Sequence, residues 1–321
     1  MLERRGIIVH PEELDDKWLD DIAKAGINVL GLHPVGGWRA PLTLAEAIER
    51  HQTPEFQALL KRAKEMGVTV EYEAHALRYL LPKTLFEEHP DWFRMDDKGE
   101  RVSDHNMCAT NEAALDYLAD STEKLTRTLD TGSDRFFWWA DDVEGGAICH
   151  CEKCKELAPS DQLMKITNAM LRGIKRVKKE GKIAFLAYHD ALQPPTKVAA
   201  DEGVFLEYAP IGRDSHKPMN DPECEKNVNE GYALKELIEF FGKENSQVLE
   251  YWMDNSRFSN WTKPPKAMPL DEPVMQEDVK YYRGLGFESI TSFGCYLGPD
   301  YRELHGQPPV EPYGEILKSV E

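Results

Sequence analysis

The stretch RFFWWADD, residues 135–142, joins the most apolar candidate strand of the chain to two adjacent carboxylates, Asp141 and Asp142. An apolar run of this kind is typical of a parallel strand that is covered by helices on its outer face. Seven similar runs recur along the sequence and alternate with amphipathic helical patterns. The eight candidate strands are residues 6–9, 27–32, 68–73, 135–140, 182–188, 204–208, 247–252 and 288–293.

Eight strand–helix units in succession predict one α/β architecture, a single (β/α)₈ TIM barrel over residues 1–321. Helix-start signals stand between the strands: Thr53-Pro54-Glu55, Ser160-Asp161 and Asp271-Glu272-Pro273. The rival fold, an open doubly wound sheet, requires a glycine-rich phosphate loop of the form G-x-G-x-x-G after an early strand. The segment HPVGGW, residues 33–38, does not have that form. The barrel is therefore favoured.

Composition limits the partners and the location of the protein. The 321 residues carry a formal net charge of −18, which argues against nucleic acid or an anionic membrane as a partner. No run of 18 apolar residues is present, so no membrane-spanning helix is expected. The opening segment, MLERRGIIVHPEEL, lacks the apolar core of a secretory signal, which predicts a cytoplasmic protein. The sequence does not determine the oligomeric state.

Polar and aromatic side chains cluster where the candidate strands end, and barrel enzymes build their active sites at those ends. Strand ends that meet solvent become polar in any case, which accounts for some of these residues. Carboxylates accompanied by Tyr and Trp are, however, well suited to hold sugar rings and hydroxyls. The sequence therefore predicts a carbohydrate partner. The candidate substrate-binding residues are His75, Tyr188, Glu207, Tyr208, Tyr251, Trp252 and Asp254.

Asp141 and Asp142 are the candidate catalytic residues. Neighbours in an extended segment point in opposite directions, so these carboxylates cannot face each other across a substrate as a common glycosidase pair does. Cleavage of a 2-acetamido sugar needs no enzymic nucleophile, because the substrate's acetamide oxygen can attack the anomeric carbon. One carboxylate then orients the acetamide, another protonates the leaving oxygen, and a tyrosine commonly binds the acetamide carbonyl. The alternative is that the pair only caps a loop.

The acid pair and its surroundings resemble known families. FFWWADDV resembles the strand-four motif of the O-linked N-acetylglucosaminidases of glycoside hydrolase family 84. A longer set of segments resembles the domain of unknown function 4838, of which some members belong to glycoside hydrolase family 163, the endo-β-N-acetylglucosaminidases. These segments are YEAHALRYLLP, EEHPDWFRMDDKGERV, MCATN, CHCEKC, SDQLMKITNAMLRGIKR and IAFLAYHDALQPP.

This resemblance implies a retaining β-N-acetylhexosaminidase that acts on a 2-acetamido sugar glycoside or oligosaccharide. By position it implies Asp141 as the acetamide orienter and Asp142 as the general acid. Glu144 stays open as an alternative acid.

A cluster of thiols follows the acid pair. Cys149, Cys151 and Cys154 offer three soft ligands within six residues, and a tetrahedral structural zinc site needs four. Cys108 is the best fourth ligand, because the loops after strands three and four are neighbours in a barrel; His105 and His150 are substitutes. Such a site would hold the loops around the acid pair. The alternatives are free buried thiols or a redox pair. No organic cofactor is expected.

Two other functions remain open. One is a metal-dependent barrel of the sugar-isomerase type, with Glu73, Asp142, His189 and Glu207 around a divalent cation. The other is a barrel without catalysis that only binds glycans.

Overall fold

The computed structural model describes residues 2–145 and 147–319 of the chain. The predicted barrel domain, residues 1–321, also includes Met1, Gly146, Val320 and Glu321, which lie outside the described residues. Eight parallel strands form a closed barrel in the order β1 to β8, which confirms the predicted fold class and all eight strands. The strands are β1 (Arg4–Val9), β2 (Val29–Leu32), β3 (Thr69–His75), β4 (Arg135–Trp139), β5 (Lys182–Ala187), β6 (Val204–Tyr208), β7 (Gln247–Glu250) and β8 (Ser289–Ser292).

Helices surround the barrel and connect its strands. They are α1 (Asp16–Ala25), α2 (Ala40–His51), α3 (Pro54–Glu65), α4 (Leu77–Leu80), α5 (Glu112–Thr128), α6 (Pro159–Lys175), α7 (Glu225–Gly231), α8 (Leu234–Phe241), α9 (Asn255–Phe258), α10 (Glu272–Leu285), α11 (Pro299–His305) and α12 (Val310–Ser319). In the part of the chain that the structure describes, no helix is long and apolar enough to cross a membrane.

The predicted helix starts are correct for α3 and α10. The side chains of Thr53 and Asp271 each accept a hydrogen bond from a backbone N–H of the first turn, as N-caps do. The start predicted for α6 is wrong, because that helix begins at Pro159 and already contains Ser160 and Asp161. Asp161 instead accepts backbone N–H groups from residues 196–198, so its carboxylate ties α6 to the loop after β5.

The barrel interior contains an acidic layer that lies below its open end. Glu71 accepts hydrogen bonds from Arg4 (2.5 Å) and Ser133 (2.8 Å). Glu73, on the same strand, is fully buried, and neither of its carboxyl oxygens has a hydrogen-bond partner. A Cβ atom on Gly31 would lie 2.6 Å from Oε1 of Glu73, so the neighbouring strand needs glycine at that position.

The pKa of Glu73 lies well above its ordinary value. Burial is the main cause, and the nearby carboxyls of Glu207 and Glu71 add to it. Burial likewise raises the pKa of Glu207 to about 8. These glutamates therefore bind protons in the folded protein that they release in the unfolded chain. The free energy of unfolding should consequently fall as the pH rises from about 4.5 toward about 8.

Replacing Glu73→Gln should remove part of this pH dependence, because the amide has a similar shape and cannot ionise. We expect the difference in unfolding free energy between pH 5 and pH 8, measured by denaturant titration, to be smaller in this variant than in the wild type. Glu202→Gln, at an exposed position, is the control and should leave the difference unchanged. An equal pH dependence in all three proteins would show that Glu73 is not protonated in the fold.

Candidate active site

A cavity of about 540 Å³ opens at the carboxyl ends of the strands, where barrel enzymes place their active sites. Its volume lies within the range of small-molecule binding sites. Five of the residues predicted from the sequence line it: His75, Asp142, Tyr188, Tyr251 and Asp254. We call this cavity the mouth. It brings together residues from β3, β4, β5 and β7 that are up to 179 positions apart in the chain.

Asp142 is the member of the acid pair that faces the mouth. Its Oδ1 accepts a hydrogen bond of 2.8 Å from the Tyr188 hydroxyl and lies 4.0 Å from Nε2 of His75. A Cβ atom on Gly36 would lie 3.1 Å from Oδ2, so a larger residue there would crowd the carboxylate. Burial acts to raise the pKa of Asp142, but His75 and the Tyr188 hydrogen bond outweigh it and the pKa is lowered. Asp142 is therefore ionised at neutral pH.

Asp141 points away from the mouth, and its side chain has no exposed surface. Its Oδ2 accepts a hydrogen bond of 2.8 Å from the backbone N–H of Asn106 and lies 3.2 Å from Nε of Arg78. Its own backbone N–H donates to Oδ1 of Asn106 at 2.9 Å. Burial raises the pKa of Asp141, while the Asn106 hydrogen bond and Arg78 act to lower it. Direct contact between Asp141 and a substrate, as the resemblance implied, does not fit this placement.

Three histidines at the mouth are held in one orientation. Nδ1 of His10, at the end of β1, lies 2.7 Å from the carbonyl oxygen of His33, which follows β2. Nδ1 of His33 bonds in the same way to the Glu73 carbonyl on β3, and Nδ1 of His75 bonds to the Ala140 carbonyl after β4. A carbonyl only accepts, so each Nδ1 carries the proton. Burial lowers the pKa of His33 to about 3, and this imidazole is therefore neutral.

Asp254 and Tyr251 form the β7 side of the mouth. Asp254 caps the short helix α9, where its Oδ1 accepts hydrogen bonds from the backbone and hydroxyl of Ser256. Burial raises the pKa of Asp254. The Tyr251 ring stacks on Phe293 with their centroids 5.4 Å apart, and the Arg257 guanidinium lies 5.1 Å from the same ring. This side therefore combines an aromatic surface with a cation.

Three predicted binding residues are not at the mouth, and those predictions need correction. Tyr208, the last residue of β6, and Trp252, in the turn after β7, both point outward into the helix layer, where Tyr208 donates to the Glu230 carbonyl and Trp252 to Asp278. Glu207 points inward but lies below the mouth, because its Oε2 accepts the Nε1–H of Trp139 at 2.8 Å. All three side chains are buried. They support the barrel rather than contact a ligand.

The same placement argues against the sugar-isomerase metal site. Glu73 and Glu207 lie inside the barrel, whereas Asp142 and His189 belong to loops beyond the strand ends. Within residues 2–145 and 147–319, the only group of His, Cys, Asp or Glu side chains arranged to hold a metal ion is a different one, made of four cysteines.

Cys108, Cys149, Cys151 and Cys154 form that group. All four are buried, and their sulfur atoms lie within 4.8 Å of one another. The Sγ of Cys108 is 3.7 Å from Cys151 and 3.8 Å from Cys154. Sulfurs around a tetrahedral zinc with Zn–S bonds near 2.3 Å stand about 3.8 Å apart, so the spacing fits a metal. His105 and His150 are not part of the group.

The polypeptide around the thiols is tightly hydrogen-bonded. The Gln162 side chain accepts from the backbone N–H of Cys149 and donates to the carbonyls of Cys149 and Cys154. The backbone N–H of Met95 lies 3.3 Å from Sγ of Cys149, and the Arg101 guanidinium lies 3.8 Å from it. Such donors offset negative charge on thiolates. The four thiols are thus held in place by hydrogen bonds from three neighbouring residues.

Asn106 connects the thiol cluster to the acid pair. It lies two residues before Cys108, and its Nδ2 donates a hydrogen bond of 3.0 Å to the carbonyl of Ala147, two residues before Cys149. Its remaining groups exchange two hydrogen bonds with Asp141. The loops after β3 and β4 are thus held together at the thiols and again at Asp141.

Several mouth residues were not predicted from the sequence. His10 directly follows β1 as His33 follows β2, and this repeated position was the available signal. Arg257 and Trp261 lie in the loop after β7, and Trp38 in the loop after β2. Arg257 is on the four-residue helix α9, and the two tryptophans stand in connecting segments, so no long strand or helix pattern marks any of the three.

The fold and the mouth define a (β/α)₈ barrel protein with an acidic and aromatic site at its carboxyl end. The chain belongs to the family described as Domain of unknown function (DUF4838), whose model matches residues 38–305. No curated protein matches the chain in sequence.

Solved structures that resemble this chain include several glycoside hydrolases. The β-galactosidase of the psychrophilic Marinomonas ef1 is 13% identical with a TM-score of 0.56; the match covers 98% of this chain and 59% of that one. A GH20 module of the pneumococcal exo-β-D-N-acetylglucosaminidase StrH is 11% identical with a TM-score of 0.55, and the coverage is 99% and 84%. Identities this low establish a shared fold. The chain spans little more than half of the β-galactosidase.

Asp141→Asn tests how far the acid pair depends on buried contacts. Both carboxylate oxygens accept hydrogen bonds, and an amide can accept with only one, so a buried donor loses its partner. Breaking a buried ion pair typically costs about 3 kcal/mol or more, and we expect a loss of that size in denaturant unfolding. Asp120→Asn, in an exposed pair with Arg176, is the control and should cost less than about 1 kcal/mol. Equal losses in the two variants would contradict a structural role for Asp141.

Proposed function

We propose that this protein is a glycoside hydrolase, specifically a retaining β-N-acetylhexosaminidase in which the substrate's acetamide is the nucleophile. The observation that carries the proposal is that the two acids of the pair face opposite sides of the loop. Asp142 meets the mouth as an ionised carboxylate, while Asp141 is turned away and holds its neighbour in place. The resemblance to DUF4838 and to the acid pair of family 84 supports the same chemistry.

Asp142 is assigned to the acetamide. A carboxylate that is ionised and oriented by the Tyr188 hydroxyl can accept the acetamide N–H and make its carbonyl oxygen a better nucleophile. This differs from the role that the resemblance implied, since a general acid must hold a proton at the working pH. The neutral imidazole of His33 and the aromatic surface of Tyr251 leave the reacting ring in surroundings of low polarity.

Glu144 is assigned to proton transfer. It lies two residues beyond Asp142 in the same loop, and its charge acts on His189 and Tyr188, which supports a position from which it reaches the bond that is cleaved. From there it can protonate the departing oxygen as the bond to the anomeric carbon breaks. The product then retains its configuration, because the acetamide and then water attack from opposite faces.

A second mechanism has support from one observation. Asp254 follows β7 and lines the same cavity as Asp142, which follows β4. A pair of carboxylates from two strands is what a retaining enzyme with a covalent glycosyl intermediate requires. In that case Asp254 would be the nucleophile, although Ser256 and the backbone of α9 occupy its Oδ1.

The two mechanisms and the two acid assignments are separated by rates on a series of aryl N-acetyl-β-glucosaminides with different leaving groups. Glu144→Gln should slow poor leaving groups by about 10² to 10⁴-fold and leave activated ones nearly unchanged. Asp142→Asn should slow all of them alike, because the attack of the acetamide is impaired whatever departs. Glu152→Gln, at an exposed position of the same loop, is the control and should leave all rates unchanged.

A steep leaving-group dependence in Asp142→Asn would show that Asp142 is the acid and would reverse our assignment. Mass spectrometry after incubation with a 2-deoxy-2-fluoro glycoside gives a separate result. A sugar covalently bound to Asp254 would establish the second mechanism, and an inverted product would exclude both.

We further propose that the four cysteines bind zinc in a structural role. Four thiolates complete a tetrahedral zinc shell and leave no place for substrate or water, so the metal would hold the two loops and take no part in the reaction. Bound zinc would also stabilise the position of Asp141, because Asn106 joins the thiol cluster to the acid pair.

Metal analysis of the purified protein should find close to one zinc per chain. Cys108→Ser should lower the zinc content and the unfolding temperature, and with them the activity, since metal binding is coupled to folding of the loops. Cys224→Ser, outside the cluster, is the matched control and should keep its zinc. Wild-type protein with well under one bound ion would end the zinc proposal.

A further inference from the structure

Two tryptophans line the mouth and are nevertheless largely exposed. Trp38, in the loop after β2, is 81% exposed, and Trp261, in the loop after β7, is 66% exposed. Most large hydrophobic side chains of this chain are buried in its core. A tryptophan that is exposed in a concave site is often a ligand-binding residue. Their rings form part of the cavity wall without covering any core of their own.

The position of the Trp261 ring is set by the local backbone. Asn260 and Trp261 both adopt left-handed conformations with φ of 51°, which is unusual for a bulky residue. The Trp261 backbone is held there by a hydrogen bond of 2.7 Å from its N–H to the Ser256 carbonyl. The Tyr296 hydroxyl, on the loop after β8, donates to the Trp261 carbonyl at 3.5 Å. Strain of this kind is retained where the surrounding contacts fix a particular side-chain position.

Trp38 is tied to the acid pair. The carbonyl of Gly37, the preceding residue, accepts a hydrogen bond of 2.7 Å from Nη2 of Arg78, whose Nε lies 3.2 Å from Asp141. The same contacts that orient the acid pair therefore also orient the start of the Trp38 loop.

The two rings and Asp142 stand on different sides of the mouth. Going around the closed barrel, one strand lies between β2 and β4, two lie between β4 and β7, and two lie between β7 and β2. A sugar ring bound at Asp142 thus has one tryptophan on the β2 side and another on the β7 side. Each can stack on a further ring of the same saccharide, as flat apolar faces do.

We propose that Trp38 and Trp261 are specificity-determining residues that each bind a sugar unit next to the reactive one, so that the substrate is an oligosaccharide rather than a single glycoside. This rests on the proposed function in so far as the ligand is a carbohydrate. It does not depend on which sugar is cleaved. The tryptophans contribute to binding of the neighbouring units and leave the chemical step to Asp142 and its partners.

The test is calorimetric titration of the whole protein with chito-, cello- and xylo-oligosaccharides of one to four units, each in the wild type, Trp38→Ala and Trp261→Ala. In at least one series, we expect affinity to rise with chain length in the wild type. Each substitution should then weaken binding of the longer members about ten-fold and leave the monosaccharide unchanged. Tyr232→Ala is the matched control, because Tyr232 is an exposed aromatic residue that does not line the mouth.

The proposal is overturned if no series binds more tightly with length, or if both tryptophan variants keep wild-type affinity for the longer members. Failure of the hexosaminidase activity is a different result, seen as absent turnover of aryl N-acetyl-β-glucosaminides. Chain-length-dependent binding of another series that is lost in Trp38→Ala and Trp261→Ala would still support the two subsites. Both rings are exposed, so neither variant removes packing that the fold needs; circular dichroism checks this directly.

Discussion

The exchange of hydrogen bonds between Asp141 and Asn106 is the contact on which the rest of the site depends. It joins the loop after β4 to the loop after β3 at the place where the backbone leaves the barrel. Arg78 adds an ion pair on the same carboxylate and a hydrogen bond to the loop after β2. Because Asp141 is fixed in this way, the next residue is obliged to face the opposite side, which is the mouth. The buried carboxylate of Asp141 thereby positions the carboxylate of Asp142 at the mouth.

The thiol cluster extends the same constraint. The two loops are also hydrogen-bonded farther out, where the backbone N–H of His150 donates to the Met95 carbonyl. The cysteines bring those outer parts together behind the mouth, and Asn106 is close in sequence to one of them. The chain thus places its thiol cluster beside its acid pair, and both connect the same two loops. This accounts for the short distance between RFFWWADD and CHCEKC in the sequence.

Much of this structure could be predicted from the sequence, and the rest failed for identifiable reasons. Strands buried on both faces are apolar throughout, so their number was clear, but the pattern did not reveal which side chains point inward. Tyr208 and Trp252 were misplaced for that reason. Cys108 was found because tetrahedral coordination demands a fourth ligand.

The environments of Asp141 and Asp142 could not be found from the sequence. They are set by Arg78 and Asn106, and by His75 and Tyr188, which are 35 to 67 positions away in the chain. Two identical neighbouring residues became a buried anchor and a partly exposed carboxylate at the mouth only through those distant contacts.

The histidine bonds at the strand ends have a mechanical consequence for the rim. His10, His33 and His75 link β1 to β2, β2 to β3 and β3 to the end of β4, so half of the ring is fastened by side chains just beyond its backbone ladder. Among the residues described, no histidine makes the corresponding bond from β5, β6, β7 or β8. Other side chains make such connections elsewhere on the rim: the Tyr188 hydroxyl after β5 donates to Asp142 after β4, and Nδ2 of Asn255 after β7 donates to the Tyr296 carbonyl after β8. Side chains therefore fasten the carboxyl end of the barrel beyond its backbone ladder on both sides of the mouth, and the wall of the cavity is held by the same contacts that close the ring.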